Sequence, residues 1–234
     1  MKRVNKKTLK DLTTLMLMRF MSSLAFFVVM SALDLITDNR VIRSILSVSL
    51  FSADMLFLIL FMSCVYGIKA LHEEFGTVWK FLFFRIVLIF MAMIINEFSY
   101  LSEFEPSREL MRACADITEK ASLFCFVMAY WIMTGCFARL LEDVKKEEQA
   151  KKCRKGGILY VSIGISAVLF GIASLFVPAE GKTVIMADVL KTIVFVMRLL
   201  VILLDIPIYF AVRDAIGNIW RMRLEKAQEG RRIR

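Results

Sequence analysis

Apolar residues fall into six long runs, separated by shorter stretches that collect charges and turn-forming residues. The runs are about Leu15–Ile36, Ser44–Ile68, Trp79–Tyr100, Ala121–Leu141, Gly157–Val177 and Val184–Val212. Each approaches or exceeds the ~20 apolar residues that a helix needs to cross a bilayer. The runs are continuous rather than alternating, which predicts helices and argues against a membrane β-barrel. A helix satisfies its own backbone donors and acceptors in hydrocarbon, so such runs are expected to bundle. The pattern therefore predicts an all-α fold, a polytopic membrane bundle of six transmembrane helices. Short connections should make sequential helices antiparallel neighbours.

The polar segments suggest an orientation. With both termini cytoplasmic, the inner segments hold twenty-one of the 31 lysines and arginines and the outer segments six. The bias recurs at each inner segment, as expected for a multi-pass protein of the cell (cytoplasmic) membrane. The longest outer segment, "SYLSEFEPSRELMRACADITEK", is instead rich in acid. The N-terminal "MKRVNKKTLK" is basic, as in a secretory signal. The run that follows is long for a signal core and has no convincing cleavage site, so it reads as a retained first span.

Two inner segments keep a helical pattern beyond the apolar runs. In "LLEDVKKEEQAKK", Glu142 with Lys146, Glu147 with Lys151 and Glu148 with Lys152 are i,i+4 pairs in the favourable order. The fourth span is thus expected to continue into the cytoplasm and to end near Gly156 and Gly157. After the sixth run, Val212, Ile216, Ile219 and Trp220 recur at helical spacing among arginines. This divides the chain into a transmembrane domain, 1–212, and a basic amphipathic cytoplasmic helix, 213–234. The segments 139–155 and 213–234 are the surfaces offered to a second copy or a partner subunit, alongside the lipid bilayer itself. In the fifth run, Gly164, Ala167, Gly171 and Ser174 form a seam of small residues, read first as a close helix contact.

Composition sharpens this only a little. Of the residues, 59% are hydrophobic and the mean hydropathy is +0.66, well above a soluble domain. The net charge of +9 is accounted for by the loops, so no nucleic-acid partner is expected. Cys64, Cys114, Cys125, Cys136 and Cys153 form no CxxC pair and read as free thiols in apolar roles. His72 is the only histidine, which excludes a site needing two within one chain. There is no phosphate loop, GxSxG elbow or HExxH. No enzyme, cofactor or metal is expected.

The informative exceptions are charges inside the runs. A charged residue at a helix centre costs about 2.5–3.5 kcal/mol on insertion, so it should face the bundle interior and find a partner. Lys191, Arg198 and Asp205 recur every seven residues and lie on one stripe of the sixth helix, drifting by ~20° per step. Depth suggests their partners. Arg198 and Asp54 fall near the middle of their runs and are expected to pair. Asp205 lies ~10 Å nearer the cytoplasm and should meet Arg85 or Arg19. Lys191 lies ~10 Å toward the outside, with Asp34 and Glu97. The candidate intramembrane polar site is thus Asp54, Arg198, Asp205, Arg85 and Lys191. Pro207, beside Asp205, removes a backbone hydrogen bond and favours a kink. Such charges either staple helices together or line a polar path. The second reading predicts a small transport protein: a permease, channel or transporter subunit. The alternative is a non-catalytic sensor or assembly module acting through its cytoplasmic helices and a partner.

Overall fold

Leucine, isoleucine, valine, phenylalanine and methionine dominate each run, and their backbone groups pair within the run itself. The computed structural model describes residues 6–36, 40–101, 104–177 and 184–232, and all of its regular structure is helical. The elements are α1 (Lys6–Ile36), α2 (Arg40–Gly67), α3 (Phe75–Leu101), α4 (Glu105–Asp143), α5 (Glu147–Ala173) and α6 (Val184–Arg232). Each contains a stretch long and apolar enough to cross a membrane. Lys2, Arg3, Lys182, the Asp34 side chain and the side chains beyond Arg221 lie outside the described residues. Large apolar side chains cover the perimeter, including Phe84, Ile94, Leu169 and Phe210, all more than half exposed. Six helices of this length with apolar side chains outward are the build of a multi-pass membrane protein.

The boundaries of α4 correct two expectations. This helix starts at Glu105, with Pro106 in its first turn, where a missing N–H leaves no bond unmade. Most of the presumed outer loop is therefore helix. At its other end α4 does not run on to Gly156 and Gly157. It stops at Asp143, and Lys145 turns the chain with φ 57°. Glu147 and Glu148 then open α5, where acidic groups suit the positive helix end. The predicted Glu142–Lys146 pair spans this turn. Glu142 instead bonds Arg154 across the hairpin at 2.9 Å, while Glu148 and Lys152 pair within α5 at 2.9 Å. The sixth helix, by contrast, is one unbroken element of 49 residues, with no interruption between residues 212 and 213.

Glycine packing fixes the α4–α5 hairpin. Gly157, Gly164 and Gly171 recur every seven residues and face Thr134, Val127 and Lys120 of α4. A Cβ on Gly164 would lie 2.4 Å from a Val127 methyl, and one on Gly157 would lie 2.2 Å from the Thr134 hydroxyl. The seam predicted at Gly164 and Gly171 is thus a close helix contact, and Gly157 extends it by one heptad.

The helices form a closed ring. Each packs on the next in the chain, α6 returns to α1, and α4 also reaches α6. Among the described residues, helices facing each other across the rest of the ring do not approach backbone to backbone. The first and last helices run antiparallel: Arg19 pairs with Asp205, while the ring of Phe27, further along α1, lies against that of Phe195, earlier in α6. The start of α1 and the end of α6 therefore lie at the same end of the ring. That end is solid, with Leu12, Phe61, Val65, Leu82, Phe137 and Val212 fully buried. Toward the opposite end the ring centre opens into a cavity.

Candidate functional site

The cavity measures about 480 Å³, and all six helices contribute to its wall. Three arginines and four carboxylates face it: Arg19, Arg85, Arg198, Asp54, Asp116, Glu119 and Asp205. The rest of its lining is mainly aromatic and aliphatic. The charges sit at two levels.

The deep level forms the floor. Arg19 of α1 and Asp205 of α6 are buried together, Nη1 to Oδ2 at 4.0 Å, with side chains only 3% and 6% exposed. This meets the expectation that Asp205 pairs with Arg19 or Arg85. Arg19 also donates to the Tyr130 hydroxyl at 3.1 Å. Its guanidinium lies 3.8 Å over the centre of the Phe126 ring, and that of Arg85 lies 3.9 Å over the same ring. Each such contact contributes up to about 2 kcal/mol when desolvated, which helps to hold two cations in one apolar layer. Tyr160 stacks on Tyr130 at 5.1 Å and places its hydroxyl beside Asp205. The floor is therefore a compact plug of two guanidiniums, one carboxylate and three rings.

The upper level is wetter. Arg198 pairs with Glu119 of α4 at 2.9 Å, with side chains 36% and 50% exposed. Asp54 accepts a hydrogen bond from Ser23 at 2.8 Å. Arg198 therefore does not pair with Asp54, although both face the same cavity. The reason is the early start of α4, which sets Glu119 at the level of Arg198 on a neighbouring helix. Glu119 and Asp116 escaped sequence reasoning because they fell in the presumed loop. The signal was present: Ala115, Asp116, Glu119, Ser122, Leu123 and Phe126 recur as one helical face. The half-exposed Arg198–Glu119 pair should matter little to folding. Glu119→Gln is expected to cost less than about 1 kcal/mol, which thermal melting in detergent would check.

Lys191 does not join the site. It is exposed and pairs with Asp188, three residues away on its own helix, at 3.8 Å. Glu97 is also exposed, so the predicted outer layer does not form among the described residues. Arg85 does reach the cavity. Its Nε and Nη1 atoms are buried without a hydrogen-bond partner among the described residues.

A second group lies at the solid end. Ligand atoms of His72, Glu74 and Cys136 lie within 4.8 Å of one another. Their chemistry is already committed to protein partners. Glu74 bonds Arg139 and accepts from the Cys136 thiol at 3.6 Å, and its backbone N–H donates to His72 Nδ1 at 3.3 Å. The bond from Arg139 holds the Glu74 carboxyl below the usual carboxylate range. Its contribution to anchoring the α2–α3 loop is thus present at neutral pH and lost as pH falls through that lowered value.

No known protein family, curated protein or solved structure matches the chain.

Proposed function

We propose that the chain is a transport protein of the cell membrane that passes a small polar solute through the centre of its helix ring. The observation that carries this reading is the cavity: all six helices line it, it opens away from both chain ends, and it stops on a buried ionic floor. A staple needs paired charges and no space between them. Here seven ionisable side chains surround about 480 Å³ of room. With the termini cytoplasmic, as the lysine and arginine distribution favours, the mouth faces outward and the Arg19–Asp205 pair stands between solute and cytoplasm. Opening of that pair, beside Pro207 in α6, is the step that connects the two sides.

The test is flux through the full chain in proteoliposomes, read as current on a solid-supported membrane after concentration jumps of small amines, carboxylates and amino acids. Transient currents are expected with protein and not with empty liposomes, and Asp54→Asn should reduce them. Silence across all three solute classes, with correctly inserted protein, refutes the proposal. A second reading, a sensor that signals through a partner, is favoured by the length of α6. It predicts silent liposomes together with a partner or second copy held by the cytoplasmic segments.

A further inference from the structure

Two of the charges facing the cavity are of opposite sign, yet they do not meet. Arg85 has two buried guanidinium nitrogens without a hydrogen-bond partner and no carboxylate in salt-bridge contact among the described residues. Asp54 has a hydroxyl partner, Ser23, and no cation within salt-bridge distance among the described residues, although it lies near enough to Arg85 and Arg19 to attract both. Every other arginine at the cavity is matched: Arg19 with Asp205, and Arg198 with Glu119. In an apolar setting an unmatched cation and an unmatched anion attract strongly. Neither has a counter-ion in contact, so each is available to a charged group of a ligand in the cavity.

The two groups face the cavity at different levels. The Arg85 guanidinium shares the Phe126 ring with Arg19, whereas Asp54 sits beside Ser23, one helical turn further along α1. One turn is about 5.4 Å of rise. A molecule with one charge of each sign can bridge two levels of this kind, with a hydrogen bond of ~2.9 Å at each end. The wall beside the two charges is apolar, with Phe26, Phe27, Phe51, Ile89 and Met93, and suits an aliphatic or aromatic substituent.

We propose that the cavity binds a small zwitterion of the amino-acid type, its carboxylate on Arg85 and its ammonium on Asp54. The inference deepens the transport reading and rests on the same cavity. Arg85 lines the cavity, and a planar guanidinium is suited to a carboxylate. A carboxylate oriented by one hydroxyl keeps lone pairs for an ammonium. A simple anion would leave Asp54 unmatched, and a simple cation would leave Arg85 unmatched.

The experiment is equilibrium binding to the full purified chain in lipid nanodiscs, by calorimetry, with leucine as probe. Two analogues each lack one charge: 4-methylpentanoate and 3-methylbutylamine. Leucine is expected to saturate a single site, and each analogue to bind about tenfold or more weakly, as loss of one charge-assisted contact implies. Asp54→Asn should weaken leucine by a similar factor while leaving 4-methylpentanoate unchanged. Arg85→Met should do the converse, leaving 3-methylbutylamine unchanged. Because Arg85→Met removes a buried cation and could misfold, the milder Asp54→Asn variant carries the test alone if needed. The inference fails if leucine, glutamine and glycine betaine all show no saturable binding, or if leucine and a single-charge analogue bind equally. Binding of leucine without flux in liposomes would uphold the inference and sink the transport reading. Flux of another solute without saturable binding of any of the three zwitterions would do the reverse.

Discussion

Replacing Arg19 with methionine is expected to destabilise the bundle by about 3–5 kcal/mol. The side chain is 3% exposed and is the ionic partner of Asp205, itself 5% exposed. Removing it leaves a buried carboxylate without its counter-charge, takes a donor from the Tyr130 hydroxyl and removes one of two cations from the Phe126 ring. Methionine fills much of the volume, so the loss is electrostatic rather than a cavity. The cost should fall sharply in Arg19→Met combined with Asp205→Leu, since replacing both members of a buried pair with apolar groups is often neutral. Cys136 and Cys153 are buried free thiols in the solid half of the ring. Their labelling by a thiol-reactive fluorophore during heating reports its unfolding. A midpoint drop on the order of 10 °C is expected for the single variant, with most of it recovered in the double. A single variant that melts like wild type would mean that the pair is not part of the fold.

Gly164→Leu should be comparably damaging for a different reason. A Cβ at this position meets Val127 at 2.4, 2.8 and 3.2 Å. Valine is stiff about χ1 and cannot turn aside within α4. Forcing in a side chain must separate α4 from α5, at about 3 kcal/mol or more. Two controls isolate the mechanism. Val127→Ala should rescue much of the loss by clearing the facing position. Gly217→Ala, where nothing lies within 4 Å of the added methyl, should be neutral or stabilise α6 by up to about 1 kcal/mol. Thermal melting of the four proteins, with the thiol readout above, decides the matter. Equal melting of Gly164→Leu with and without Val127→Ala would refute the close-contact account.

The helices were legible in the sequence because an apolar run of sufficient length has one low-energy backbone in hydrocarbon. The inward turn of Asp205 was legible too, from depth and the cost of burying charge, and its partner was narrowed to Arg85 or Arg19, of which the structure shows Arg19. What periodicity could not supply was the start of α4. The stretch after Pro106 carries so many charges that it resembles a loop, yet those charges form one face of a helix, and with that face went Glu119, the actual partner of Arg198. Lys191 misled in the opposite way. It lies on the right stripe, but it pairs with Asp188 on its own helix. The turn at Lys145 gave little warning, since neither glycine nor proline marks it.

The unbroken course of α6 has a mechanical consequence. Pro207 deprives the helix of one internal bond two residues beyond Asp205, and a further 25 residues continue to Arg232 without interruption. That arm is about 37 Å long. Tilting it by about 10° at the proline would sweep its tip through roughly 6 Å. Any tilt at Pro207, next to the ionic floor, would thus be geared up into a much larger displacement at the far tip.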